Sequence, residues 1–468
     1  MPVNSFDDYP MAWKPEKSRL SGPLYAAIAG ALEEDIVEGR LAPDTKLPPQ
    51  RELADFLDVN LSTVTRAYKV CELKGLLYAV VGRGTFVSPN ARTKSLPFQE
   101  KGEEAFIEMG LIEPFYQVNP QILEAARTVL ARPSAVRFLE YGQAAGDEGQ
   151  LEAAQRWLGR FHVGARLENI VIAAGSQNAL AISLISLFKA GDRIATDPYT
   201  YPNFIGLASF LHIQLAAVEC DGDGMKPEAL DALCRQSGVQ GVYLMPSCSN
   251  PMAIVMPEER RQALAEVIRR HSLTLIEDDA YAFLLPPDRR PLAARIPERT
   301  VYICGTSKSL CAGLRVAFMA FPAAFRPYLA GGTYTINLKT VSLNAAIIAE
   351  LIHSGLAEEI VAEKIRLAEE RGAVYQRVFP ESGRPAASFF KWLPLPAGMD
   401  GDGLEQAARG RGVHLLSSRR FAVGAREQAS FVRLAISSPR DAAQLGEGLR
   451  ILRDLIEDGG GQAAPLLV

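Results

Sequence analysis

The chain has 468 residues, more than one compact core usually holds, so two or three domains are expected. Apolar residues make up 48% and charged residues 22%, the balance of an ordinary globular protein, and 50 basic against 54 acidic side chains leave a net charge of −4. That charge demands neither a nucleic-acid nor a membrane partner, yet it leaves room for a small basic module inside a larger acidic body. No apolar run reaches the roughly 18–20 residues that cross a bilayer, and the start, Met1 to Asp8, lacks a basic stretch followed by an apolar one, so a cytoplasmic location is expected.

Ser21-Gly22-Pro23 offers a cap and an early helical proline, after which Leu24, Ile28, Leu32 and Ile36 repeat at helical spacing until Gly39. Leu47-Pro48-Pro49 starts a second, short helix over Gln50–Leu57, with Leu53, Phe56 and Leu57 facing inward. A turn at Asp58-Val59-Asn60 leads into a third helix capped by Asn60. There Val64, Ala67, Tyr68 and Cys71 fall on one face, which turns Ser62, Thr63, Arg66 and Lys69 outward. Two β-rich runs, Leu76–Val81 and Thr85–Ser88, are joined by Gly82-Arg83-Gly84. Three helices and a hairpin in this order make a winged helix-turn-helix. Hydroxyls and cations on the third helix suit base edges and phosphates, and Arg83 suits a narrow minor groove. Between 46 and 83, Lys46, Arg51, Arg66, Lys69, Lys74 and Arg83 outnumber Glu52, Asp55, Asp58 and Glu72 by only two. Binding that leans on two copies is therefore expected. On these residues alone, a helical interaction domain with solvated cations fits as well.

The runs Pro23-Leu24-Tyr25, Leu47-Pro48-Pro49-Gln50-Arg51-Glu52-Leu53-Ala54, Ser62-Thr63-Val64-Thr65-Arg66-Ala67-Tyr68 and Gly82-Arg83-Gly84-Thr85-Phe86-Val87 resemble the GntR-type winged-helix regulators. The resemblance covers nearly all of a module over 17–88 and implies double-stranded operator DNA as partner, with Arg51, Ser62, Thr63, Arg66, Lys69 and Arg83 at the interface. Where that family often carries an arginine just inside the third helix, this chain has Leu61, so no base contact is carried over there.

Residues 89–104 are polar and aperiodic, a linker. From about 168 short apolar runs alternate with helical patterns: Ile170–Ala173, Arg193–Thr196, Ile213–Val218, Gly241–Met245, Leu273–Glu277, Val301–Cys304 and Val316–Phe321, with amphipathic stretches at 177–189, 225–236 and 257–271. This predicts an α/β body with a mostly parallel sheet over about 168–325, covered on both faces, and ligands at the carboxyl ends of its strands. A smaller α+β C-terminal domain is expected over about 350–468.

The residues just after these runs carry chemistry. Gly175-Ser176-Gln177-Asn178 opens a helix and offers backbone N–H groups and a hydroxyl to a phosphate. Asp197-Pro198-Tyr199-Thr200-Tyr201 puts aromatic rings at a strand end. Asn250-Pro251 adds an amide, Glu277-Asp278-Asp279-Ala280-Tyr281 adds acids and a phenol, and Thr306-Ser307-Lys308 precedes Gly313-Leu314-Arg315. The six cysteines and five histidines have no ligand spacing, so free thiols and no metal are expected. A lysine that forms a Schiff base, a carboxylate that keeps a pyridine nitrogen protonated, and groups for a ring hydroxyl and a phosphate are together the inventory for pyridoxal 5′-phosphate.

The order Tyr141-Gly142, Gly175-Ser176-Gln177, Tyr201, Asn250-Pro251, Asp278-x-x-Tyr281, Ser307-Lys308 and Arg315 resembles the fold-type-I aminotransferases over roughly 105–468. The resemblance implies that Lys308 carries the cofactor, Asp278 partners its ring nitrogen, Asn250 and Tyr281 bind the ring oxygen, and Tyr201 stacks on the ring. It implies that Ser176, Gln177 and Arg315 hold the phosphate, with Ser307 beside them. Tyr141 would reach the phosphate of a second copy in a head-to-tail homodimer, and Arg433, in Phe431-Val432-Arg433-Leu434, would take a ligand's carboxylate. The chain departs from the pattern at Gly305, where a phosphate-binding serine is common, and at Met252-Ala253 after Asn250-Pro251. A GntR-type winged helix linked to such a body resembles the MocR-type transcription regulators, which implies sensing of an amino compound or of pyridoxal phosphate itself. A working aminotransferase with an appended DNA-binding domain is the alternative, and a dimeric scaffold with a dead pocket is a third.

Overall fold

A computed structural model describes residues 11–16, 20, 22–37, 40–42, 45–74, 76–80, 83–88, 106–380, 387–423 and 430–460. The expected linker over 89–104, and Ser21, Gly39, Val81 and Gly82, lie outside these residues. The N-terminal unit has helices Leu24–Val37, Gln50–Leu57 and Leu61–Leu73, then antiparallel strands Leu77–Val80 and Gly84–Val87 with Leu77 opposite Val87. Ile28, Leu32 and Ile36 are buried with Leu53, Leu57, Val64, Ala67, Tyr68 and Cys71 in one core. Leu24 is not: it begins the helix and is 45% exposed, so the buried stripe starts one turn later than its spacing suggests. Asp58 adopts φ 55 to turn the chain, and the Asn60 side chain then accepts the Ser62 N–H at 2.9 Å, capping the third helix. The Tyr68 hydroxyl donates to Pro48 O at 2.9 Å and pins that helix to the turn before the second.

All seven apolar runs become strands of one sheet. Its order is Ile170–Ala173, Ala317–Ala320, Thr300–Gly305, Thr274–Asp278, Gly241–Leu244, Arg193–Thr196, Gln214–Ala217. Only Ala317–Ala320 runs antiparallel to its neighbours. Along Gly241–Leu244, Val242 and Leu244 enter one core while Tyr243 enters the other, and Leu275 and Ile276 divide the same way. Both faces are therefore covered, which is why these strands read as continuous apolar runs and not as alternating ones. Helices Ser176–Leu187, Pro227–Gln236 and Glu258–Arg270 are among the connections.

A smaller sheet of Phe390–Pro394, Phe431–Ala435 and Leu416–Ser417 packs with helices Gly401–Gly410 and Ala442–Gly460. The 23-residue helix Leu356–Val378 joins the two bodies: Ala357, Ile360 and Val361 lie in the large core, Val374 and Tyr375 in the small one. Strand Ile107–Glu108 pairs in parallel with Val413–His414, and Ile107 and Met109 complete the small core. That core thus draws on residues from well before 350, a long-range pairing that periodicity does not report.

Candidate active site

The carboxyl ends of the strands surround a cavity of about 370 Å³. After strand Ile170–Ala173 the chain turns at Gly175, φ 89, directly into the helix that begins at Ser176. A Cβ on Gly175 would sit 2.3 Å from Arg315 Nη2, so only glycine leaves room for that guanidinium. Arg315 itself holds φ 49 and donates to Ser307 Oγ at 3.0 Å. A Cβ on Gly305 would lie 2.2 Å from Ser176 Oγ. Ser176 Oγ therefore stands in the space that a side chain at 305 would take, so a larger residue there would have to turn this hydroxyl away. Two hydroxyls, one guanidinium and a helix N-terminus gather in one corner, a donor set that fits a dianionic phosphate. Gly175→Ala is expected to push Arg315 out of this corner and to weaken phosphate-bearing ligands about tenfold or more, the scale of one charge-assisted hydrogen bond. Equilibrium binding of pyridoxal phosphate to the cofactor-free variant checks this, with unchanged affinity as the contrary result.

Asp278 ends strand Thr274–Asp278. Its Oδ2 accepts the Tyr243 hydroxyl at 3.0 Å, while its Oδ1 is buried with no partner among the described residues. Burial drives its carboxyl up to about 7, and the neighbouring Asp279 adds to the shift. A buried acceptor left open toward the cavity fits a protonated ring nitrogen, which would supply the missing hydrogen bond and the opposite charge. Its neighbours serve elsewhere. Glu277 accepts the N–H groups of Leu292 (3.0 Å) and Ala293 (2.7 Å), and Asp279 accepts the Tyr302 hydroxyl at 2.9 Å. Among the described residues no cluster of metal-ligating side chains occurs.

The amine of Lys308 opens onto the cavity and donates to Ile112 O. Burial, together with the positive charge of Arg433, lowers its pKa to about 8. Arg433 is itself buried. Its Nη1 donates to Asn250 Oδ1 at 3.1 Å, its Nη2 to Gly110 O, and its guanidinium lies 4.8 Å from the Phe421 ring, with burial lowering its pKa to about 10. It is a pocket residue and not a surface arginine on a strand. Tyr281 is buried edge-on against Phe389 and Phe390. Tyr201 lines the cavity and accepts Asn203 Nδ2 at 3.1 Å. Tyr199 turns away and packs on Trp392, so only one of the two expected aromatics reaches the cavity.

Ser176, Gln177, Tyr201, Asn250, Asp278, Tyr281, Ser307, Lys308, Arg315 and Arg433 all line this one space. Tyr141 does not. It is 86% exposed. Sequence reasoning missed Tyr243, which reads as one more core aromatic, and Lys364, whose buried amine donates to Lys308 O (3.0 Å) and Leu310 O (2.7 Å). It also missed Glu113 and Asn203 in the cavity wall. Only the strand register or the fold brings these residues in.

In the N-terminal unit Arg51, Ser62, Arg66, Lys69 and Arg83 are exposed, whereas Thr63 is half-buried. The Arg66 guanidinium lies 3.8 Å above the Tyr25 ring, which fixes its direction, and Lys69 pairs with Glu72 at 3.2 Å.

Residues 113–451 match the aminotransferase class I and II family, and residues 24–87 match the gntR family of bacterial regulatory proteins. The HTH-type transcriptional regulator YdeF of Bacillus subtilis is 37% identical over 98% of this chain and 100% of its own length. The HTH-type transcriptional regulator TauR of Rhodobacter capsulatus is 27% identical over 93% of this chain and 97% of its own. Among solved structures, an archaeal alanine:glyoxylate aminotransferase superposes with a TM-score of 0.71 at 24% identity, over 76% of this chain and 92% of that one, a likeness of fold. The chain therefore belongs to the aminotransferase class I and II family in its MocR-type form, transcription regulators in which a GntR-type winged helix precedes a fold-type-I aminotransferase-like body.

Proposed function

We propose that the protein binds operator DNA as a homodimer and adjusts that binding when an amino compound, or pyridoxal phosphate itself, enters the cavity. The observation that carries the reading is one cavity lined by Lys308, Asp278, Arg315 and Arg433, in the same chain as a unit that matches the gntR family. When bound, pyridoxal phosphate supplies an electrophilic carbon for amines and an electron sink that depends on a protonated ring nitrogen. Lys308 holds it, and Asp278 keeps the proton on the nitrogen. Asn250 and Tyr281 orient the ring oxygen, Tyr201 stacks on the ring, and Ser176, Gln177, Ser307 and Arg315 take the phosphate. Arg433 releases Asn250 and Gly110 to bind the carboxylate of a ligand that has one. Large apolar side chains on the surface, Leu139 (80% exposed) and Phe210 (84%) among them, favour a dimer, in which Tyr141 reaches the phosphate of the second copy. The completeness of the site also favours a second reading, an aminotransferase that turns over.

Arg66, aimed by Tyr25, and Arg83 on the wing contact the duplex in this reading. Replacing both with alanine is expected to weaken operator binding at fixed salt and to flatten its salt dependence, because fewer phosphate counterions are released. Coupling between sites typically reaches about 1–3 kcal/mol, so the effector is expected to change operator affinity roughly 5–150-fold, and operator must change effector affinity by the same factor. Selection of operator DNA by the cofactor-loaded protein, followed by effector titration with and without that operator, tests this. Equal effector affinities in the two titrations would exclude sensing and leave the aminotransferase.

A further inference from the structure

Lys308 is carried by a single helical turn, Thr306–Ser309, and one turn is not stable on its own. The carbonyls at its end find no donors within it. Its entrance is fixed by Thr306, whose N–H and Oγ1 both donate to Val316 O, at 3.1 and 2.8 Å. Its exit is fixed from another element. Lys364 Nζ donates to Lys308 O at 3.0 Å and to Leu310 O at 2.7 Å. The residue whose side chain faces the cavity is thus held by its own carbonyl.

Lys364 stands among apolar neighbours. It is 1% exposed in helix Leu356–Val378, where Ile360, Val361, Leu367 and Ala368 all enter the large core. A buried amine is costly unless it is bonded, and no carboxylate pairs with this one among the described residues. The two carbonyls are what it has. Burial lowers its pKa to about 7, and the charge of Lys308 pushes the same way against an upward pull from Cys311. An uncharged amine still carries two N–H groups, one for each carbonyl, so the tie outlasts the proton. Lys364 does not line the cavity, so its effect there passes through Lys308.

We propose that Lys364 is the positioning residue of Lys308: by holding the carbonyls of Lys308 and Leu310 it sets where the Lys308 amine stands in the cavity. This rests on the reading that Lys308 holds pyridoxal phosphate, and it adds the group that aims the amine. Helix Leu356–Val378 runs on into the small core, so the aim also depends on how that helix is seated between the two bodies.

The experiment compares two ligands on the full-length protein stripped of cofactor. Pyridoxamine phosphate has the ring and the phosphate but no aldehyde, so its affinity reports the pocket alone. Pyridoxal phosphate adds capture by Lys308, followed by absorbance and borohydride trapping. Rates are read above the pH near 8 at which Lys308 loses its proton, where protonation no longer limits them. Two variants are used: Lys364→Met, and Lys364→Gln, whose amide stops one bond short of the carbonyls. Each is expected to bind pyridoxamine phosphate as the wild type does but to capture pyridoxal phosphate about 10–100-fold more slowly, the scale of a reacting group misplaced by about 1 Å. Capture at the wild-type rate in either folded variant would overturn the proposal. A loss of affinity for pyridoxamine phosphate as large as the loss in rate would overturn it too, making Lys364 a support of the whole pocket. Lys364→Gln decides alone if Lys364→Met does not fold, and if neither folds the role is structural and the proposal falls. A wild-type protein that binds pyridoxamine phosphate yet gives no trapped peptide at Lys308 would overturn the underlying reading as well.

Discussion

Purified Lys308→Ala protein is expected to remain colourless and to yield no borohydride-trapped cofactor peptide, whereas the wild type turns yellow with pyridoxal phosphate and gives that peptide. The cavity is also lined by the guanidinium groups of Arg315 and Arg433, but Lys308, carried by the short helix Thr306–Ser309, is the one amine among the lining residues. The pH dependence stems from the same burial. A free lysine carries its proton to about 10.4, whereas Lys308, enclosed and facing Arg433, loses it near 8. Only the unprotonated amine is nucleophilic, so cofactor uptake by the stripped protein is expected to accelerate as pH rises through about 8 and then level off. Uptake that kept accelerating toward pH 10 would place the reactive amine in an ordinary solvated setting. A yellow Lys308→Ala protein with a trapped peptide elsewhere would remove Lys308 from the site altogether.

Arg261→Met is expected to lower the stability of the large body by about 3–5 kcal/mol, the usual result of breaking up a buried charge group. Arg261 is fully buried. It donates to Met256 O (3.1 Å), Arg290 O (3.1 Å) and Pro246 O (2.9 Å), and its charge offsets the buried carboxylates of Glu277 and Asp279. Methionine fills much of the volume but takes one donor from each of three carbonyls and leaves two acids without their cation. Met256 O keeps only Arg289 Nη1 at 3.4 Å, and Pro246 O only the Met256 N–H at 2.9 Å. Domains are held together by only about 5–15 kcal/mol, so such a loss would be plain in the urea midpoint. Glu277 and Asp279 flank Asp278, so cofactor affinity should fall along with stability. A change below about 1 kcal/mol would mean that the acids are already neutral and the arginine is held only by its carbonyls.

How far the sequence reads depends on what determines each feature. The seven strands were legible because burial on both faces turns each into an unbroken apolar run, and the three-helix unit because Val64, Ala67, Tyr68 and Cys71 keep helical spacing. Other features depend on distant partners. Glu277, Asp278 and Asp279 look equivalent in a row, and only Leu292, Ala293, Tyr302 and Tyr243 decide which of them faces the cavity. Tyr199 and Tyr201 likewise separate only because Trp392 captures the first. Gly305 reads as a missing phosphate ligand until Ser176 is found beside it. Leu24 keeps the spacing of its helix, yet as its first residue it lies beyond the core.

The pairing of Ile107–Glu108 with Val413–His414 has a consequence for synthesis on the ribosome. His414 Nδ1 meets Glu108 across 306 residues of sequence, so the small body's core cannot close until most of the chain has emerged. The core of the DNA-reading unit draws only on residues between Trp13 and Val87 and completes early. Such order favours sequential folding from the N-terminus, with local contacts forming well before the long closure. A nascent or prematurely ended chain would therefore carry a folded winged-helix unit without a finished ligand body. Under the proposed reading, translation itself sets the interval during which DNA binding runs ahead of ligand control.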